Sequence, residues 1–290
     1  MTDFSTFIGR AWDEHADAPQ GVADRLEEGA ALVADEGELI QLLNLAHHLH
    51  GEHLDSWAQG IELIERLCGA PVFVADGPSG QAARRFMASL HLAGGQPVGL
   101  DAFTPSDRAR VLALAASTVA SRDALRAGGW LRDALDLAQR EELPAGDPTH
   151  RALAVTGNNI ACTLEEKPDR SAAERDLMIL AAQTTRRDWA IAGTWLETER
   201  AEYRLANTWL QAGDPARARE HAQACLEIID ANGGAAMERF FGWEALGLVE
   251  RAAGNATGHA QALARAREAF AELDESDKSW CAPSLDKLAA

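Results

Sequence analysis

The segment from Glu199 to Asn232 most constrains the fold, because it has the pattern of two amphipathic helices joined by a tight turn. Apolar residues recur at helical spacing on both sides of Gly213-Asp214-Pro215. In this turn Gly213 suits a helix end, Asp214 an N-cap and Pro215 a first helical turn. A single pair of helices is too small to bury its own apolar faces. The segment therefore predicts a stack of neighbouring helix pairs.

Composition favours an all-α protein. The chain has 290 residues, of which 47% are hydrophobic and 25% charged, and it contains a single tyrosine. Strands prefer aromatic and β-branched residues, whereas this sequence is rich in Ala and Leu. Most prolines fall between the apolar-periodic stretches, as helices require. The periodic stretches predict about 13–14 helices.

The helical pattern suggests a division of the chain at residue 104. Before it we expect helices over about 3–15, 20–34, 36–50, 54–68 and 79–93, with residues 72–74 in a buried loop. The Gly- and Pro-containing segment 94–104 is a long connection. We therefore predict a degenerate helical-repeat region over 1–103 and more regular repeats over 104–290. The first helix of the second region is expected to end at Gly128-Gly129.

The second region resembles the tetratricopeptide repeat. In one unit the start and the turn of the repeat correspond to Trp243, Leu246-Gly247 and Gly254-Asn255. The matches in the other unit are Leu205-Ala206, Trp209, Gly213-Asp214, Ala218, Ala222 and Cys225. The resemblance is closest over 199–273 and weaker over 105–187. It implies a right-handed superhelix of antiparallel helix pairs, an α-solenoid, ended by a capping helix over Ser284 to Ala289.

The repeats recur about every 40 residues, which is longer than the usual tetratricopeptide period. In this they are similar to the loose repeats in the regulatory arms of some bacterial transcription activators. The final turn also carries three extra residues, Ala256-Thr257-Gly258.

The resemblance further implies that the first helix of each pair lines a concave groove that binds a protein or peptide. Helical spacing identifies the groove residues as the stripe opposite the buried one: Asn158, Cys162, Glu165, Arg200, Tyr203, Asn207, Gln211, Glu244 and Arg251. Arginine pairs with carboxylates in a forked geometry, and asparagine pairs with amides. The pattern predicts a non-catalytic scaffold or adaptor that could serve a regulatory partner. The alternative is an ordinary solvated helix face.

A histidine-rich segment offers a second candidate site. It contains His47, His48, His50 and His53, close to Glu52 and Asp55. Two imidazoles and a carboxylate could bind zinc, but the spacing is not that of an HExxH motif. Histidines at a helix end that face water, near the negative end of the helix dipole, are the simpler interpretation. The sequence therefore predicts no metal, with His47, His50 and His53 as weak candidates.

Enzyme motifs are absent, since the sequence has no GxSxG, GxxxxGK[ST] or GxGxxG pattern. We therefore predict a protein that is not an enzyme and needs no cofactor. Two alternatives stay open. One is a small-molecule sensor with an apolar pocket between its two helical sub-bundles. The other is a metal-dependent enzyme that uses the cluster from His47 to His53.

The net charge limits the classes of expected partner, and the lack of targeting signals bears on the expected location. The formal net charge of −18 repels phosphate groups, so neither nucleic acid nor an anionic membrane is an expected partner. The four cysteines are far apart in the sequence, which predicts reduced thiols. No basic segment followed by an apolar run starts the chain, and no apolar stretch approaches membrane-spanning length. We therefore expect a cytoplasmic location.

Overall fold

The computed structural model describes residues 3–290 and is all-α, as composition predicts. Within these residues it contains fifteen α-helices and no strand. None of these helices is both long and apolar enough to cross a membrane. The chain forms two compact units, one over Met1–Leu143 and one over Pro144–Ala290.

The first unit is built from eight α-helices. They are α1 (Phe4–Glu14), α2 (Pro19–Ala23), α3 (Leu26–Ala30), α4 (Glu36–His48), α5 (Trp57–Leu67), α6 (Pro78–Ala93), α7 (Pro105–Val119) and α8 (Ala124–Arg140). A π-helical turn, Leu49–His53, continues α4 directly. Leucines of α4 lie fully buried at the centre of the core, where residues of α1, α2, α5 and α6 surround them. This apolar stripe fixes which face of α4 points inward.

Local sequence explains where several of these helices begin. The Asp35 carboxylate accepts a hydrogen bond from the Glu38 amide and caps α4, and Asp123 caps α8 by accepting from Arg126. Gly128-Gly129 lies inside α8, so the prediction of a helix end there is wrong. The expected helix over 20–34 is two one-turn helices, α2 and α3. The loop over 72–74 is confirmed, but it is half-buried to exposed.

The boundary between compact units differs from the predicted one. The segment 94–104 does not separate them, because α6 packs against α7 on its far side. An ion pair between Arg85 Nη1 and Asp107 Oδ1, 2.7 Å long and largely buried, joins the same two helices. The units instead divide at Pro144, next to the break that Pro144 and Pro148 make between α8 and the following helix.

The second unit is a run of helix pairs followed by a final helix. Its elements are α9 (Pro148–Glu165), α10 (Ala172–Ala192), α11 (Trp195–Gln211), α12 (Pro215–Asn232), α13 (Ala236–Ala252), α14 (Ala256–Ala271) and α15 (Glu275–Ala289). The most extensive contacts are within the pairs α9–α10, α11–α12 and α13–α14. Each helix also packs against its successor, so burial is shared along the run.

Small residues and turn chemistry explain this packing. Ala206, Ala222 and Ala245 are buried together where α11, α12 and α13 meet, because short side chains let helices approach closely. Gly213, in the turn between α11 and α12, has a φ of 82°, a left-handed conformation that favours glycine. The expected capping helix is present and longer than predicted. It is α15, which packs on both α13 and α14.

Candidate functional site

The predicted groove residues lie on the first helices α9, α11 and α13, which contact one another directly. Helix α11 packs against both α9 and α13 besides its partner α12. The structure therefore brings most of the predicted stripe together along one row of helices. Many of these side chains form hydrogen bonds or ion pairs with residues of a neighbouring helix.

Arg204 and Thr208 of α11 join this row to α9. Arg204 Nε donates a hydrogen bond to Asn158 Oδ1 at 3.2 Å, and its guanidinium pairs with the Glu165 carboxylate, which also accepts from the Thr208 hydroxyl. Burial raises the pKa of Glu165, although Arg204 opposes that shift. Arg204 and Thr208 are not among the predicted groove residues, because each is one position away from the predicted stripe.

Tyr203 and Glu244 join α11 to α13. The Tyr203 hydroxyl donates to Glu244 Oε2 at 3.2 Å, and Glu244 is only 3% exposed. Burial raises the pKa of the Glu244 carboxyl to about 7, while Tyr203, Lys287 and Arg251 act against that rise. Burial also raises the pKa of Tyr203. This contact is therefore an internal bridge between helices.

The remaining predicted residues are more accessible, and their contacts are weaker. Arg200 is exposed and meets Glu238 Oε1 at 3.1 Å, and Gln211 is exposed and accepts from Arg170 at 3.0 Å. Asn207 is half-buried and donates to the Tyr203 carbonyl. Cys162 is half-buried, and desolvation raises the pKa of its thiol. Arg251 is exposed and donates to the Lys287 carbonyl at the end of α15.

Two of the three weak metal candidates turn away from any common site. His47 is buried, and its Nε2 lies 2.8 Å from Ser89 Oγ. Desolvation lowers the pKa of His47 to about 4. His50 is also buried and contacts Ser56 Oγ through Nδ1 at 2.7 Å. Neither faces water, which differs from the simpler interpretation of this segment.

The third weak candidate, His53, belongs to a cluster with His48 and His15. One ligand nitrogen from each of the three lies within 4.8 Å of the other two. The closest pair is His48 Nε2 and His53 Nε2, 3.1 Å apart. All three side chains are half-buried. Sequence reasoning missed His15, which follows α1 far from the histidine-rich segment, and no spacing motif connects the two.

Polar and aromatic groups surround this three-histidine cluster. Glu52 Oε1 lies 3.3 Å from His48 Nδ1 and accepts from Ser117 Oγ of α7 at 3.0 Å. The Trp12 ring packs against His15 and His48. Burial acts to raise the pKa of Glu52, but His48, His47 and Ser117 together outweigh it, and the net pKa is lowered. Desolvation, then His48 and His15, lower the pKa of His53.

Clefts on the first unit are open to solvent. One, of about 580 Å³, lies between α1 and the short helices α2 and α3 and is lined by Phe7, Arg10, Val22 and Arg25 among others. Another, of about 650 Å³, is lined by residues of α5 and α6 together with Asp55 and Gln96. Both lie inside one compact unit, so neither is the pocket between sub-bundles that the sensor hypothesis requires.

Comparison with known proteins does not identify a family for this chain. No protein-family model, no curated protein and no solved structure matches this chain.

Proposed function

We propose that the second unit is a tetratricopeptide-like scaffold that binds an extended peptide along the row α9–α11–α13. The observation that carries the proposal is that α11 packs against both neighbouring first helices, so these three helices form one continuous row. In a stack of helix pairs such a row is the natural inner surface, on which a right-handed superhelix would hold its ligand. A cytoplasmic adaptor of this kind needs no cofactor and no catalytic group.

The exposed part of the row supplies suitable contacts for a peptide. The Arg200 side chain is 61% exposed and pairs with Glu238 at 3.1 Å, so its guanidinium is accessible to a peptide carboxylate. Asn207 and Gln211 lie about two and three turns further along α11 than Arg200, and they offer amides to a peptide backbone. We therefore assign peptide contact to Arg200, Asn207 and Gln211.

Other members of the predicted stripe have structural roles in this proposal. Asn158 and Glu165 are engaged by Arg204, and Glu244 is engaged by Tyr203. Arg251 is directed to the end of α15. Their replacement would change helix packing, so a loss of binding in those variants would not identify a groove.

The test compares two double variants. A peptide-display library is selected on the wild-type protein, and the affinity of enriched peptides is measured by fluorescence anisotropy. We expect Asn207→Ala with Gln211→Ala to weaken binding at least tenfold, and Gln223→Ala with Glu227→Ala, on the exposed face of α12, to leave it unchanged. Equal affinity in both variants, or no enriched peptide, would contradict the proposal.

A further inference from the structure

The three-histidine cluster of the first unit draws its members from two places in the fold. His15 directly follows α1, where it is the C-cap residue. His48 ends α4 and His53 ends the π-helical turn after it. In an α-helix two residues five positions apart would diverge by about 140°. The π-helical turn closes with a hydrogen bond from the Leu54 amide to the Leu49 carbonyl, and it places the rings of His48 and His53 4.8 Å apart. Such π-helical turns are frequent at functional sites.

In two of these imidazoles Nδ1 faces a hydrogen-bond acceptor, and this contact places the ring hydrogen on Nδ1. His15 Nδ1 contacts the Trp12 carbonyl oxygen, which can only accept, so this nitrogen carries the hydrogen. His48 Nδ1 faces the Glu52 carboxylate, which is held in place by Ser117. In neutral imidazoles the Nε2 atoms of His15 and His48 then carry the lone pairs, and the His48 lone pair faces His53 Nε2 at 3.1 Å. Metal-binding histidines show the same arrangement, in which the other ring nitrogen donates to a carboxylate or a carbonyl.

The spacing of the nitrogens is close to that of a metal site. Three imidazoles on a tetrahedral zinc ion, with Zn–N distances of about 2.0–2.1 Å, have nitrogens about 3.4 Å apart. The His48 and His53 Nε2 atoms are 3.1 Å apart, and the third nitrogen lies within 4.8 Å of both. A metal site requires this third nitrogen to move closer to the other two. His53, which donates to His48 in the absence of metal, would move its hydrogen to Nδ1.

We propose that His15, His48 and His53 bind one zinc ion through three imidazole nitrogens, with the fourth coordination position occupied by water. Three neutral histidines suit zinc and other borderline divalent ions, whereas Mg²⁺ and Ca²⁺ prefer oxygen ligands. The Glu52 carboxylate, which contacts His48, offsets part of the added charge, whereas the Asp55 carboxylate beside the cluster is already paired with Arg122. An ion here would join α1 to the end of α4, two elements that otherwise meet through few contacts.

The first experiment measures binding directly on untagged, metal-free full-length protein. We expect isothermal titration calorimetry with Zn²⁺ to give one strong site per chain. With Co²⁺ in place of Zn²⁺ we expect the intense visible absorption of a tetrahedral ion, and with Mg²⁺ we expect no binding. The absence of a stoichiometric site, or a weak octahedral Co²⁺ spectrum, would overturn the proposal without any variant.

The second experiment identifies the ligands. His15→Ala and His53→Ala should each weaken Zn²⁺ binding by more than the roughly 10–100-fold that loss of an outer-shell partner costs. His91→Ala, at an exposed position on α6, is the matched control and should bind as the wild type does. Circular dichroism of the metal-free variants checks that each is folded. Unchanged affinity in a folded His15→Ala variant would refute the assignment.

Glu52 is a positioning residue in this proposal, and its test differs from that of a ligand. Glu52→Ala should weaken Zn²⁺ binding roughly 10–100-fold while the tetrahedral Co²⁺ spectrum is retained. Glu52→Gln keeps an oxygen that accepts from His48 Nδ1 and should restore most of the affinity. Equal weakening by both substitutions would show that Glu52 does not act through a hydrogen bond to His48.

Discussion

Replacement of Glu244 by glutamine should stabilise the protein at alkaline pH and have little effect in acid. Glu244 is 3% exposed on α13, and it accepts a hydrogen bond from the Tyr203 hydroxyl. The charged groups that act on it are Lys287 of α15 and Arg251 of its own helix, and both favour the ionised form. Desolvation outweighs them, so the folded protein favours the neutral carboxyl. Glutamine has nearly the same shape and is neutral at every pH.

The size of the effect follows from the pKa. Folding raises the pKa of Glu244 from 4.5 to about 7. Between these values the folded state keeps a proton that the unfolded state has released, so stability falls as pH rises through this window. Each pKa unit corresponds to about 1.36 kcal/mol, which makes the loss about 3 kcal/mol once pH exceeds the folded value. The glutamine variant does not suffer this loss.

The assay is urea denaturation of the full-length wild type and variant at about pH 4 and about pH 8, followed by circular dichroism. The difference in the free energy of unfolding, variant minus wild type, should become more favourable to Glu244→Gln by about 3 kcal/mol across this range. Taking the difference removes the contribution of every other group that titrates equally in both proteins. The slopes with urea should agree between the two, since the same surface is exposed.

Glu250→Gln on the same helix is the matched control, and its sign is opposite. The hydrogen bond from Arg219 is the main cause that lowers the pKa of Glu250, so ionised Glu250 stabilises the fold above its unfolded pKa. That stability is lost as pH falls through the folded value. The glutamine variant should therefore lose stability relative to wild type as pH rises. Parallel behaviour of the two variants would refute the argument that burial, rather than general acidity, governs Glu244.

Three further predictions concern stability and reactivity. Gly157→Ala should lower stability by about 1–3 kcal/mol in thermal unfolding, because the added carbon would lie 2.5 Å from a carbonyl oxygen of α10. Gly129→Ala is the control: its added carbon would have no atom within 4 Å, and it should raise stability by about 0.5–1 kcal/mol. A loss of stability in both variants would contradict the contact argument. Ser171→Ala removes the capping box of α10 and should cost about 1 kcal/mol in urea denaturation, with Ser171→Thr close to wild type. Cys225 and Cys281 are fully buried, and burial raises the pKa of each thiol, so a thiol reagent should modify them only at the rate of unfolding; fast labelling of the native protein would disprove their burial.

Helical periodicity and turn residues are enough to predict much of the fold. The turns at Gly213 and Gly254 are confirmed, and both glycines have the left-handed conformation that such turns require. Gly128-Gly129 does not end a helix, although its sequence suggests a break. Placing each glycine inside a helix costs about 1 kcal/mol, and burial of neighbours such as Ala127 and Leu131 outweighs this cost. The division into compact units depends on contacts such as those of α6 with α7, which local composition does not encode.

The candidate sites depend more strongly on tertiary structure. The π-helical turn packs closely on neighbouring helices: a side chain at Gly51 would approach Thr118 and Leu90, and one at Gly60 would approach His50. No local pattern predicts this turn, and at α-helical spacing His48 and His53 would lie on different faces. The residues of the predicted groove stripe lie on α9, α11 and α13, but periodicity does not tell which of its polar residues face a neighbouring helix.

The acidic composition takes on a second meaning in the second unit. A net charge of −18 is typical of a solvated acidic surface, yet Glu199, Glu202, Glu244 and Glu250 of α11 and α13 are all buried. Each contacts a residue of another helix. Glu199 contacts Cys225, and Glu202 contacts both Arg186 and His221. Glu244 contacts Tyr203, and Glu250 contacts Arg219. Buried polar pairs add little net stability compared with apolar packing, but they penalise any arrangement that leaves a charge unpaired. Interfaces rich in alanine offer few shape features that distinguish one helix from the next. The ion pairs of Glu202 with Arg186 and of Glu250 with Arg219 therefore favour these particular helix pairings, while the small residues let the helices approach.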